Sequence, residues 1–273
     1  MNHITNVISR IFSVVANAKF PKGIQEFINK TYVKKFNIDM SEFDIPENYE
    51  TLNGLFTRSF KKERYVNADN STLVSLCDSW ISECGKIVAN DLIALQIKGF
   101  YYSVDSLLGD FAQKEEKAKL QDGVFANLYL SPADYHHYHA PCDMKIIKAW
   151  HIPGKLYPVN LKWLNKKASL FVENERVILE CETANNAKIF LVFVGALNVG
   201  KMKFLFDDKL NTNIKDTTPT LYNYESLYVK KGEELGYFEM GSTVLFFGEK
   251  DKFELVAKQG AKIKFGEVLA KEI

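Results

Sequence analysis

"VKKGEEL" at residues 229–235 and "IKFGEVL" at residues 263–269 align position for position. Each copy has an apolar first residue, a lysine, a Gly-Glu pair and a closing leucine. Glycine tolerates backbone angles that a Cβ forbids, so a charged segment with a central glycine reads as a tight turn. The apolar residues at either end read as strand termini, and the repeat predicts two alike hairpin turns.

Outward from the repeat, the texture from residue 73 is short β-type runs. These are "LVSLC", "KIVA", "LIALQIKGFYY", "VFANLYL", "KIIKAWHI", "RVILECE", "KIFLVFVGALNVG" and "TVLFF". Residues 189–194, "IFLVFV", are apolar on both alternating faces, as in a strand buried on both sides. One helix is predicted from Ser103 through "SVDSLLGDFAQKEEKAKLQDG". Upstream, Ser41 and Asp44 are candidate caps for a short helix with Pro46 in its first turn. Glycine turns in this pattern recur in hammerhead-like sandwiches such as the biotinyl and lipoyl carrier folds. The expected class is α+β, with N-terminal amphipathic helices over residues 1–48. A β-rich catalytic domain with hammerhead/lipoyl-like sandwich features follows over 49–273.

The 273 residues are 47% hydrophobic and carry a net charge of +1, which argues against a nucleic-acid partner. The four cysteines have no C-x-x-C spacing, so reduced thiols in a cytosolic compartment are expected. Within residues 1–36, Arg10, Lys19, Lys22, Lys30, Lys34 and Lys35 oppose Glu26 alone, a charge of +5. The same segment places Ile4, Val7, Ile8, Ile11 and Phe12, then Ile24, Phe27 and Ile28, at helical spacing. Such helices are either a docking face for the rest of the fold or a membrane-surface anchor. No apolar run reaches the roughly 18 residues of a spanning helix. Arg10 interrupts the stretch before "ANA", so a signal peptide is not expected.

Three of the five histidines crowd into "YLSPADYHHYHAP", residues 129–141. A metal site, a catalytic base and a packed Tyr-His corner all accommodate them. Extended backbone puts His137 and His139 on one face and His136 on the other; a bend at the flanking prolines brings His136 toward His139. The block offers no second cluster of metal donors, so no metal is expected. About a hundred residues later, Gly241-Ser242-Thr243 separates a charged turn from an apolar strand. It reads as a tight turn of small residues or as a reactive bond. In the second case glycine leaves its carbonyl open to attack by Ser242 Oγ, and a base must take the hydroxyl proton.

Eight ordered blocks carry a family resemblance. They are "LNGLFTRSFKKERY" (52–65), "VSLCDSWISECGKI" (74–87), "QIKGFYYSVDSLLGD" (96–110) and "YLSPADYHHYHAPCD" (129–143). "IPGKLYPVN" (152–160), "NERV" (174–177), "VGALNVGKM" (194–202) and "KGEELGYFEMGSTVLFF" (231–247) complete them. In these blocks the chain resembles the bacterial pyruvoyl-dependent phosphatidylserine decarboxylases over nearly its full length.

The resemblance implies a zymogen that cuts itself between Gly241 and Ser242. The products are a β chain, 1–241, and an α chain, 242–273, with Ser242 becoming a covalent pyruvoyl group. It makes His139 the base and Asp78 its orienting carboxylate, and His136 is the candidate to assist decarboxylation. The pyruvoyl forms a Schiff base with phosphatidylserine and serves as the electron sink that yields phosphatidylethanolamine and CO2, without pyridoxal phosphate. The expected setting is the cytoplasmic side of the cell membrane, as a peripheral homodimer on an anionic surface. The chain departs from the family at Leu76 (usually proline), Ser79 (glycine), His137 (commonly arginine), Met144 (glycine) and Met240 (leucine). If that glycine has positive φ, Ser79 adds strain of about 1 kcal/mol. The competing readings are an Asp78–His139–Ser242 hydrolase, an unprocessed inactive homologue, and a carrier module with a modified lysine in a "KxGExL" turn.

Overall fold

The computed structural model describes residues 3–88, 93–97, 100–159, 163, 169–197, 201–213, 218–239 and 243–273. Helices α1 (Ile4–Asn17), α2 (Lys22–Phe36) and α3 (Leu52–Phe56) precede strands β1 (Thr72–Val74), β2 (Ser79–Lys86), β3 (Ile93–Ile97) and β4 (Phe100–Ser103). Short helices α4 (Val104–Leu108) and α5 (Lys114–Ala118) lead to β5 (Val124–Tyr129), β6 (His137–His139), β7 (Met144–Ile152), β8 (Arg176–Thr183) and β9 (Lys188–Val194). The chain closes with β10 (Met202–Phe204), β11 (Thr220–Val229), β12 (Glu234–Phe238), β13 (Thr243–Gly248), β14 (Phe253–Leu255), β15 (Lys262–Ile263) and β16 (Val268–Glu272). The expected α+β class holds.

An antiparallel sheet in the order β11-β7-β8-β9-β13-β5-β2-β15 forms the spine. Every residue of β9 is buried, as its two-sided apolar pattern requires. Ile189, Leu191 and Phe193 enter one core and Phe190, Val192 and Val194 the other. β13 alternates likewise, so Val244 and Phe246 face the first core and Leu245 and Phe247 the second.

The repeat builds two equivalent three-stranded sheets, β10-β12-β6 and β14-β16-β1, with the leucine-bearing strand of each copy in the middle. Leu235 and Leu269 are both buried in the first core. Gly232 (φ 81°) and Gly266 (φ 90°) adopt the left-handed backbone that a turn of this shape needs. Glu233 and Glu267 each accept the backbone N–H of their own turn's lysine, Lys230 at 2.9 Å and Lys264 at 2.8 Å. Both turns close on the segment Tyr65–Val66, and a Cβ on Gly266 would lie 2.4 Å from the Tyr65 carbonyl oxygen. Gly266→Ala is therefore expected to destabilise by about 3 kcal/mol, from φ strain plus a backbone clash. Gly260 also has positive φ (81°) but nothing within 4 Å, so Gly260→Ala should lose only about 1 kcal/mol. Urea unfolding of the two variants checks the difference.

Three local expectations are corrected. The helix predicted from Ser103 is two, because Gly109 (φ 71°) ends α4 where a Cβ would meet Ile152 at 2.8 Å. Ser41 and Asp44 cap nothing: Pro46 begins a single 3-10 turn without a side-chain cap, and Thr51 caps α3 through the Gly54 N–H at 2.9 Å. Ser79 opens β2 without positive φ, so its replacement of glycine adds no left-handed strain.

The N-terminal helices dock by their polar sides. α1 buries only Ser9 and Ala16; Asn6 donates to the Gly154 carbonyl (2.9 Å), and Thr5 Oγ1 accepts the Leu156 N–H (3.2 Å). Its apolar stripe of Ile4, Val7, Ile8, Ile11, Val14 and Val15 faces outward. α2 buries Gln25 and Asn29, and Asn29 donates to the Pro46 and Tyr49 carbonyls, while Ile24 and Phe27 are exposed. This is the reverse of an ordinary surface helix, which turns its apolar stripe inward. No helix among the described residues is long and apolar enough to cross a membrane.

Candidate active site

β6 carries the histidine block because it is the edge partner of β12, with His139 opposite Glu234 and His137 opposite Tyr237. Extended backbone sends His137 and His139 to one side, where both rings stack on Tyr135 at 4.8 and 5.8 Å. His136 is turned the other way, against the Phe56 ring at 3.9 Å. Among the described residues no three His, Cys, Asp or Glu side chains group as metal ligands do.

His139 is buried, and its ring is held on every side. Nδ1 lies 3.0 Å from the Gly232 carbonyl, which can only accept, so Nδ1 carries the hydrogen and Nε2 the lone pair. Nε2 accepts the Tyr135 hydroxyl at 3.1 Å, and the Phe265 ring stacks on the imidazole at 3.7 Å. Burial pushes the His139 pKa down to about 4, opposed in part by the Gly232 bond. At neutral pH the ring is uncharged and its Nε2 carries no proton. Burial also raises the Tyr135 phenol well above its ordinary range, so the hydroxyl stays a donor.

Asp78 does not bond His139 in this structure. Its carboxylate takes both arms of Arg64 (2.5 and 3.1 Å) and the Phe265 N–H (2.8 Å). Arg64 in turn donates to Glu42 at 3.0 and 2.7 Å. A mostly buried carboxylate needs such a fork, and the planar guanidinium supplies it. Phe265 joins the two groups, with its amide on Asp78 and its ring on His139. The orienting bond to His139 Nδ1 comes from Gly232, inside the first copy of the repeat.

His137 stands where arginine is common in the resembled family. Its Nδ1 lies 2.7 Å from the Glu234 carboxylate and its Nε2 3.1 Å from the Thr57 carbonyl. Both neighbours are acceptors, so His137 bridges two acceptors where an arginine would present several donors.

Gly241, Ser242 and Met240 lie outside the described residues. The chain approaches them from Phe238, whose N–H donates to the His136 carbonyl at 3.0 Å, and leaves at Thr243 between Tyr129 and Val194. Among the described residues, the buried His136 Nε2 and Thr243 Oγ1 have no hydrogen-bond partner. Leaving such atoms unpaired costs about 1–3 kcal/mol each. The Thr243 hydroxyl can donate to a carbonyl such as a pyruvoyl would carry, whereas the bare His136 Nε2 accepts and suits an N–H or O–H donor. An apolar cavity of about 510 Å³ is lined by Phe12, Phe27, Tyr32, Phe56, Pro132 and Leu197. Phe56 is shared between this cavity and the His136 ring.

The sequence marks neither Arg64 nor Phe265 as a site residue, although Phe265 is the third position of the repeat's second copy. Tyr135 on His139 is the packed Tyr-His corner that the histidine block allowed.

A family model described as phosphatidylserine decarboxylase matches residues 52–271. The chain is 49% identical over 266 residues to the phosphatidylserine decarboxylase proenzyme of Campylobacter jejuni, covering 96% of this chain and 97% of that protein. It is 46% identical over 265 residues to the proenzyme of Helicobacter pylori, covering 97% and 96%. A more distant relative of the same name, from Actinobacillus pleuropneumoniae, is 34% identical with 97% and 90% covered. The sheet, the histidine block and these matches define a decarboxylase, a carboxy-lyase by class. The chain belongs to the phosphatidylserine decarboxylase family.

Proposed function

We propose that this chain is a proenzyme that cleaves itself between Gly241 and Ser242 and then converts phosphatidylserine to phosphatidylethanolamine and CO2 at a membrane surface. The observation that carries the reading is His139, held neutral with an unprotonated Nε2 on the strand paired to β12, the strand that leads into Gly241-Ser242. In self-cleavage His139 takes the Ser242 hydroxyl proton as Oγ attacks the Gly241 carbonyl. Asp78 acts at one remove, through Phe265. The pyruvoyl group, when formed, supplies a carbonyl conjugated to an amide, an electron sink for the pair left by departing CO2. His136 offers its unpartnered Nε2 as the proton acceptor and donor of that step.

The outward apolar face of α1 supports a peripheral site on an anionic leaflet, and the +5 charge of residues 1–36 supports the cytoplasmic side. The apolar cavity reaching Phe56 suits the lipid body of the substrate. Assembly as a homodimer belongs to the same reading: β11 is paired on one side only among the described residues and leaves an edge for a second copy.

A denaturing gel of the purified protein tests the first half. It should show fragments 1–241 and 242–273, the shorter one resistant to Edman degradation because a pyruvoyl has no amine. A fully active chain that stays uncut would overturn the reading in favour of a serine hydrolase. His136→Ala should still cleave yet release CO2 at least 100-fold more slowly, the usual scale of a lost acid–base group.

A further inference from the structure

Arg58 follows α3 and is 2% exposed. Its Nη2 donates to the Ala133 carbonyl at 2.6 Å and to the Asp134 carbonyl at 3.1 Å. Among the described residues Nε and Nη1 are buried without a partner and no carboxylate bonds the guanidinium, which lies over the Phe43 ring at 4.5 Å. A buried cation without an anion is costly, and a fold that keeps one needs a compensating use for it. The Asp134 carbonyl supplies that use. The same oxygen that accepts Arg58 Nη2 lies 2.8 Å from His136 Nδ1. A carbonyl only accepts, so His136 carries its hydrogen on Nδ1 and leaves Nε2 bare. Phe56, two residues before Arg58, covers the face of the same ring.

We propose that Arg58 is a positioning residue for decarboxylation: it anchors the Asp134 carbonyl that sets the His136 tautomer. The inference rests on the reading that His136 acts in the decarboxylation step. Burial first, then the Arg58 charge, hold His136 well below the usual imidazole range; His137 acts in the same direction, and the Asp134 carbonyl bond acts against it. The Asp134 carboxylate is turned to its own loop, on the Ser131 N–H at 2.7 Å. Asp78, Tyr49 and Tyr32 are the other titratable groups whose charge Arg58 feels.

The consequence is chemical. A neutral ring with a bare Nε2 can take a proton from the substrate's ammonium group, breaking N–H and forming Nε2–H. After the carboxylate leaves as CO2, the same proton returns to the α-carbon. A ring that began charged could not take it.

The test uses the processed enzyme with detergent-dispersed phosphatidylserine, following CO2 release from pH 5 to 8 and self-cleavage on gels. Arg58→Gln and Arg58→Lys should both cleave. In Arg58→Gln the acid limb of kcat should move to higher pH, about tenfold in rate on that limb for each pH unit of movement, with KM little changed. Arg58→Lys keeps the charge and should keep the limb while lowering the plateau. An unmoved limb in Arg58→Gln, with His136→Ala inactive, overturns this inference alone. His136→Ala decarboxylating at the native rate overturns the reading beneath it. Should the Arg58 variants not fold, long-range 1H–15N correlation on the uncut Ser242→Ala chain decides the matter. His136 should show Nδ1 protonated and Nε2 bare at pH 6, and an Nε2–H or charged ring there overturns the proposal.

Discussion

A His139→Ala chain should remain one full-length band on a denaturing gel, while the native chain resolves into two fragments. The hydroxyl of Ser242 is a poor nucleophile until a base removes its proton, and a base in such a position contributes about 10²–10⁴ in rate. His136 cannot substitute, because its ring is turned to the opposite side of β6 and bonded to the Asp134 carbonyl. Asp78→Asn should slow cleavage less. It leaves the Gly232 bond that sets the His139 tautomer intact but removes one of Arg64's two carboxylate partners and loosens Phe265 against the imidazole. Acidification separates this account from one with an exposed histidine. With a pKa of about 4, His139 stays neutral as pH falls from 7 to 5, so native cleavage should hardly slow. An unburied imidazole, with a pKa of about 6.5, would lose about tenfold for each pH unit below that value. Normal cleavage by His139→Ala would refute the assignment. A steep loss of native cleavage between pH 6.5 and 5 would show instead that the burial is not maintained in the reacting state.

Ile11→Glu combined with Val14→Glu should release the protein from vesicles rich in anionic lipid. The two side chains are 61% and 73% exposed, so the substitutions disturb no packing and the fold should be kept. Each apolar side chain of this size contributes about 1.5–3 kcal/mol when buried, and each new carboxylate meets a negative surface. A loss of about 3 kcal/mol corresponds to roughly a hundredfold weaker binding. Decarboxylation on vesicles should fall with it, while turnover of short-chain substrate in detergent stays near native. Added salt should weaken native binding without abolishing it, since screening acts on the lysines and not on the apolar stripe. Equal loss on vesicles and in detergent, with vesicle binding unchanged, would assign the helices a structural role instead.

What local pattern encodes is legible in the sequence. The alternation in "IFLVFV" required a strand with two buried faces, and the twin "KxGExL" segments required twin turns. Both follow from backbone periodicity and from the freedom of glycine. The spacing of Ile4, Val7, Ile8 and Ile11 required an amphipathic helix, and the family blocks marked Gly241-Ser242, His136 and His139. Periodicity, however, states that a helix has an apolar side and not where that side points. Only the docking of Thr5, Asn6, Ser9 and Ala16 against the body turned the stripe outward. The partners of the site were equally hidden. Arg64 on Asp78 and Arg58 on the Asp134 carbonyl are contacts between side chains and loops that no local period relates. They are selected because a buried charge or ring nitrogen must find a donor or acceptor when water is excluded, and which group lies within reach is settled by the packing of the whole chain.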